Sequence, residues 1–115
     1  MNNTKIAEVL SSYIAPGKLV VFAIANCPYC TWAKKLLTEL KADFTYLNVY
    51  ADIPKFNDDF ERSLEKYCDI DTYPKILIGT KCIGGFTDME TLHKNKTLQG
   101  MLKKEGINFD GYDKY

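Results

Sequence analysis

The chain of 115 residues has one histidine, one tryptophan and four prolines, and no surplus of charge, since 15 Lys and Arg offset 15 Asp and Glu. Each scarcity removes a class of function. Without a basic surplus or a long run of one sign, nothing recommends nucleic acid or an anionic membrane surface as a partner. The single histidine, His93, lies beside Lys94 and Lys96 and far in sequence from the cysteines, so a Cys–His catalytic pair has no support. No window approaches a membrane-spanning length, and Met1 to Gly17 lacks an uninterrupted apolar block followed by a small-residue cleavage site. The expectation is a soluble, intracellular, cytoplasmic protein. Asn2-Asn3-Thr4 and Asn95-Lys96-Thr97 match a glycosylation acceptor, a match with little weight when no secretory signal accompanies it. Repeats, low-complexity segments and linkers are also missing. Residues 1–115 therefore read as one domain, and 46% hydrophobic residues over this length can build a core without disulfides. In a reducing compartment the four cysteines read as catalytic, metal-binding or buried thiols.

What is present centres on Cys27-Pro28-Tyr29-Cys30, between the apolar run Leu19 to Ala25 and an amphipathic stretch that starts at Thr31. Residues three apart share a helix face, so two thiols so spaced can close a small disulfide ring. At a helix N-terminus the unpaired N–H groups and the positive end of the helix dipole stabilise a thiolate. Proline has no N–H and a preset φ that suits the first helical position, so Cys27 reads as the cap and Pro28 as the first helical residue. A zinc site would need two more ligands. Cys68 and Cys82 are the other thiols, but one falls at a helix end and the other in a hairpin, so the redox reading is preferred. Those two cysteines are expected to be small core residues.

Periodicity supplies the frame. Ile6, Val9, Leu10, Tyr13 and Ile14 mark an opening helix that Pro16-Gly17 ends, and Trp32, Ala33, Leu36, Leu37 and Leu40 form a stripe expected to face the core. Phe44 to Tyr50 reads as a strand, which makes a parallel strand–helix–strand unit. Phe56, Phe60, Leu64 and Tyr67 suggest a further helix, and Ile76-Leu77-Ile78 with Lys81-Cys82-Ile83 a hairpin running into Gly84-Gly85. Two short helices are expected near Met89 to His93 and Leu98 to Glu105. The tail 106–115 is expected to be loosely held.

This order, with the cysteine pair after the first strand, is the plan of a thioredoxin-like α/β fold: a central four-stranded mixed sheet flanked by about five helices. Cys27-Pro28-Tyr29-Cys30, then Thr72-Tyr73-Pro74 before a strand, then Ile83-Gly84-Gly85-Phe86-Thr87-Asp88, together resemble the glutaredoxin family over nearly the whole chain. Thioredoxins fit less well, because they usually carry Trp before the first cysteine and Gly-Pro between the two. The resemblance implies a glutathione-dependent oxidoreductase that reduces protein disulfides and glutathione mixed disulfides. It implies Cys27 as the attacking thiolate, and Cys30 as the more buried thiol that resolves the mixed disulfide. It also implies a cis Tyr73–Pro74 bond whose residue 73 pairs with the cysteinyl part of glutathione as a short added strand. Thr72 belongs to the same motif. Gly85, Phe86, Thr87 and Asp88 would take the γ-glutamyl end, its carboxylate at the helix start and its ammonium at Asp88, with Thr87 as the cap. Tyr29 either flanks the bound sulfur or fills the corner as a surface aromatic.

Two positions depart from that pattern. The family's lysine three residues before the first cysteine is Ile24 here, and the residue before the Thr-X-Pro motif, often basic, is Asp71. Lys75 and Arg62 are the candidate replacement cations. Glutathione is the expected co-substrate, no metal is expected, and the protein is expected to be a monomer whose partners are disulfide-bonded or glutathionylated proteins. The competing readings are a thioredoxin-like reductant served by a reductase, and an iron–sulfur carrier using the first cysteine and glutathione. Pro28 argues against the carrier, since the cluster-binding members usually have Gly or Ser there.

Overall fold

The computed structural model describes residues 3–115, so the acceptor motif at Asn2 lies outside the described residues. The apolar run Leu19–Ala23 forms β1 and is buried at every position. Helices on both faces of the sheet cause this. Val20 and Phe22 pack against Ile6, Leu10 and Ile14 in or just after α1 (Asn3–Tyr13) and against Phe60 and Leu64 of α4 (Asp58–Cys68). Leu19 and Val21 face the opposite layer: Ala33 and Leu37 of α2 (Pro28–Glu39), Met89 of α5 (Phe86–Lys94), and Leu98 and Leu102 of α6 (Thr97–Lys104). Alternation along one strand thus divides the core into two clusters.

The sheet order is β2-β1-β3-β4, with β2 at Thr45–Asn48, β3 at Lys75–Ile78 and β4 at Lys81–Gly84. Strand β2 runs parallel to β1, in register Val20 to Thr45, and α2 makes the crossover. Strand β3 pairs antiparallel with both β1 and β4, as the expected hairpin requires. The expected thioredoxin-like mixed sheet is therefore found, with six α-helices among the described residues where about five were expected. The addition is α3 (Val49–Asp52), a single turn. The strand foreseen to Tyr50 stops at Asn48, whose N–H donates to the Asp52 carboxylate at 2.7 Å and turns the chain into that helix. Strand β1 likewise ends before Ala25, because Asn26 takes a left-handed φ of 56° ahead of α2.

The C-terminal tail also differs from expectation. Ile107 and Phe109 are buried against the α2 and α6 layer, the Asp43 N–H donates to the Asn108 carbonyl at 2.9 Å, and the Asp110 N–H donates to the Leu40 carbonyl at 2.8 Å. Glycine and aspartate in the composition suggested looseness, but two apolar side chains between them dock the segment. Phe109→Ala is expected to lower stability by about 3 kcal/mol in chemical denaturation. A loss below about 0.5 kcal/mol, the size of an ordinary surface substitution, would mean that the tail is not docked.

Candidate active site

Helix α2 starts where the sequence places it. Cys27 is its N-cap, in extended conformation, Pro28 opens the first turn, and the Thr31 N–H donates to the Cys27 carbonyl at 3.1 Å. The Cys30 N–H points at Cys27 Sγ, 3.2 Å away. The sulfur itself is therefore the capping acceptor, with the helix dipole aligned behind it. Cys27 and Cys30 are bonded to each other across a Cα separation of 5.2 Å. Cys30 is fully buried, whereas Cys27 keeps part of its surface.

The second motif folds against this corner. The Tyr73–Pro74 peptide is cis, Pro74 is buried, and the Tyr73 carbonyl oxygen lies 3.8 Å from Cys27 Sγ. Tyr73 is held from behind. Its hydroxyl donates to the Glu61 carboxylate at 2.9 Å, and Tyr50 donates to the same oxygen at 3.1 Å. Burial, then this bond to Glu61, pushes the Tyr73 hydroxyl far above the usual tyrosine range, so it stays a donor.

Lys75 was one candidate cation for the site, and the structure turns it away. It is fully buried, its Nζ donates to the Thr72 carbonyl at 2.8 Å, and it sits 3.8 Å from the centre of the Tyr73 ring. Burial lowers its pKa, opposed by the charges of Glu65, Glu61 and Asp71. Its alternation with Ile76 explains the direction, because neighbours on a strand face opposite sides. Lys75 instead supports the Thr72–Pro74 turn from beneath, a role that spacing alone did not suggest. The other candidate, Arg62, is paired with Asp59 on the outer face of α4.

The third motif closes the groove. Gly84 has φ of +109°, and the Asp88 carboxylate occupies the space a Cβ would need there. The same carboxylate accepts the Gly85 N–H at 2.9 Å. Gly85, rather than Thr87, is thus the cap of α5, and Asp88 is its third helical residue, half of a capping box. Tyr29, Thr72, Tyr73, Pro74, Gly85, Phe86, Thr87 and Asp88 line one groove of about 340 Å³, joined by Ile70. Cys27 lies at its edge, in an adjoining cleft with Ile24, Asn26 and Tyr46.

Trp32 corrects the reading of the α2 stripe as core. It is 48% exposed, its ring centre 5.1 Å from that of Tyr29 and 5.8 Å from that of Phe86, and Tyr29 is 51% exposed. Helical spacing puts Trp32 near the edge of the apolar face, and only tertiary packing decides which edge is covered. Cys68 and Cys82 are a second correction. Expected as free core thiols, they are half-buried and bonded to each other, with Cα atoms 5.3 Å apart. His93 is half-buried and bonds Gln99 through Nδ1 at 2.9 Å, away from both thiol pairs.

A helix that starts on a cysteine pair after the first parallel strand, facing a cis-proline turn, defines a thiol redox protein of the thioredoxin-like class. The family is narrower. The sequence model described as Glutaredoxin matches residues 19–83. Glutaredoxin-1 of Sus scrofa is 35% identical over 99 residues, covering 84% of this chain and 92% of that protein, and Glutaredoxin-1 of Homo sapiens is 34% identical over 101 residues, covering 86% and 94%. Among solved structures, a buckwheat glutaredoxin–glutathione complex superposes with a TM-score of 0.75 at 27% identity, over 92% of this chain and 97% of that one. The chain belongs to the glutaredoxin family, and it is a glutathione-dependent thiol–disulfide oxidoreductase.

Gly84→Ala is expected to destabilise the protein by about 1–3 kcal/mol, through left-handed strain and the clash with Asp88. Adding Asp88→Ala should recover part of that loss by opening the space. Strictly additive losses in urea denaturation of the single and double variants would mean that the two residues do not meet.

Proposed function

We propose that Cys27 is the attacking thiolate and Cys30 the resolving thiol of a dithiol exchange with protein disulfides, and that glutathione returns both to the reduced state. The observation that carries this is the asymmetry of the pair: the part-exposed Cys27 sulfur receives the Cys30 N–H at a helix N-terminus, while Cys30 is buried. Cys27 attacks one sulfur of the substrate disulfide, and the other sulfur leaves as a thiolate that takes a proton from solvent. Cys30 then attacks Cys27 Sγ, which frees the second substrate thiol and closes the 27–30 bond. Two glutathiones reopen that bond in two exchanges, and their electron pair ends in one glutathione disulfide. A glutathionylated protein needs only Cys27: it takes the glutathionyl sulfur, releases the protein thiol, and is cleared by a second glutathione.

The groove supports glutathione as that reductant. The backbone of residue 73 offers its N–H and C=O to the cysteinyl part, a short case of strand addition. The first turn of α5 offers N–H groups to the γ-glutamyl carboxylate, and Asp88 offers an anionic oxygen to the ammonium group. Thr72, Gly85, Phe86 and Thr87 shape the walls, and Tyr29 flanks the sulfur. The protein is further proposed to act as a monomer in the cytoplasm on disulfide-bonded or glutathionylated proteins. No helix among the described residues is long and apolar enough to cross a membrane.

Cys30→Ser should lose reduction of protein disulfides while keeping part of the turnover on a glutathionylated peptide, and Cys27→Ser should lose both. Equal loss in the two variants on the glutathionylated peptide, followed by steady-state kinetics, would remove the single-thiol route.

Ile24→Lys should improve glutathione use, because Ile24 lines the cleft beside Cys27 and neither Lys75 nor Arg62 supplies a cation there. A lysine stem can keep the apolar contact while its ammonium reaches the glycyl carboxylate. A partly exposed pair is worth roughly 0.2–1 kcal/mol, which lowers KM for glutathione up to about fivefold and fades as salt is added. An unchanged KM at low salt would mean that the carboxylate is already held elsewhere.

A further inference from the structure

Cys68 and Cys82 take no part in the exchange reaction, yet they occupy positions that the groove depends on. Cys68 is the last residue of α4 and Cys82 the second of β4. From Cys68 the chain turns through Asp69, at a left-handed φ of 55°, and Ile70 to Pro74 then form one wall of the groove. From Cys82 the strand continues through Ile83 and Gly84 to Gly85, which belongs to the other wall. The walls approach each other at their far ends, where a Cβ added to Gly85 would stand 3.5 Å from the Pro74 carbonyl oxygen. At their roots the 68–82 bond joins them, and next to it the Tyr67 hydroxyl donates to the Thr80 carbonyl. Both sulfur-bearing residues are half-buried at the edge of the core, so neither is sealed from solvent.

We propose that Cys68 and Cys82 form a second redox site, a dithiol oxidised by small disulfides of the glutathione type, and that its closed form ties the two groove walls and tightens glutathione binding. The tightening rests on the functional reading above, whereas the redox pair does not. Cys68 sits at the carbonyl end of α4, followed by Asp69, and both features disfavour its thiolate. Cys82 lies on a strand without that helix end. The Cys82 thiolate attacks one sulfur of glutathione disulfide and releases one glutathione. Cys68 then attacks Cys82 Sγ, the 68–82 bond forms, and a second glutathione leaves. Two thiols and one glutathione disulfide become one protein disulfide and two glutathiones, so two electrons pass to the small disulfide and both protons end on glutathione thiols.

The test uses the full chain carrying Cys27→Ser and Cys30→Ser, in which 68 and 82 are the only cysteines left, beside the unsubstituted protein. Both are equilibrated in glutathione buffers of stepped oxidised share, quenched in acid, alkylated, and mapped by peptide mass spectrometry. The 68–82 linkage should grow with the oxidised share in both proteins. Two alkylated thiols at every ratio, glutathione disulfide alone included, would overturn the proposal. The double variant, in its open and closed forms, is then titrated with S-methylglutathione, which cannot exchange. The closed form should bind about two- to fivefold more tightly, because the walls no longer have to be ordered on binding. Equal binding would overturn the tightening. Binding by neither form, with the linkage still forming, would sink the glutathione reading and the tightening with it while upholding the second redox pair.

Discussion

The reactive edge of this protein depends on where α2 is forced to begin. Pro28 has no N–H and a φ suited to a first turn, so the helix starts there and Cys27 must cap it. A cap normally supplies a side-chain oxygen. Here the only atom in reach is sulfur, and the Cys30 N–H turns to it. The proposed exchange builds on that contact, since an N–H aimed at sulfur favours a thiolate at Cys27, and on the burial of Cys30 beside it. The burial of β1 on both faces fixes the corner in space, and the Tyr73 carbonyl completes its far side.

The charge around the site has an unusual source. An anionic tripeptide would ordinarily meet a lysine beside the first cysteine, yet Ile24 occupies that place and one candidate substitute, Lys75, is buried under the Thr72 carbonyl and the Tyr73 ring. Lys75 acts through the backbone: its Nζ holds the Thr72 carbonyl, one residue before the Tyr73 carbonyl that faces Cys27. In the proposed binding mode, recognition rests on oriented peptide groups and one helix terminus more than on paired charges. Such a site should respond less to salt than one built on lysines, because peptide dipoles carry no counterion atmosphere to be displaced.

The parts legible in the sequence were those governed by local rules. The buried strand, the proline-started helix and the Thr72-Tyr73-Pro74 turn each follow from residues close in the chain, and the groove brings together the eight residues that the motifs suggested. What local rules could not reach was decided at a distance. Trp32 lies at the edge of an apolar stripe, and its exposure depends on where Phe86 arrives. The α5 cap is Gly85 because Asp88 reaches back across the turn, although Thr87 carries the side chain better suited to capping. Ile107 and Phe109 dock on side chains of α2 and α6 that are distant in the chain, with backbone hydrogen bonds to Leu40 and Asp43 alongside.

The two cysteine pairs show how one kind of chemistry can be poised in two ways on a single sheet. Cys27 opens a helix, where the dipole and an aimed N–H favour an anion, and Cys68 closes one, where the carbonyl end and Asp69 oppose it. Thiol exchange runs through thiolates, so opposite helix ends place Cys27 and Cys68 in contrasting surroundings for the same chemistry. The first pair sits at the start of α2 and the second joins α4 to β4, and α2 and α4 pack on opposite faces of the sheet. In the proposed scheme the first pair exchanges with substrate, and the second acts on the same groove by joining the segments that lead into its two walls.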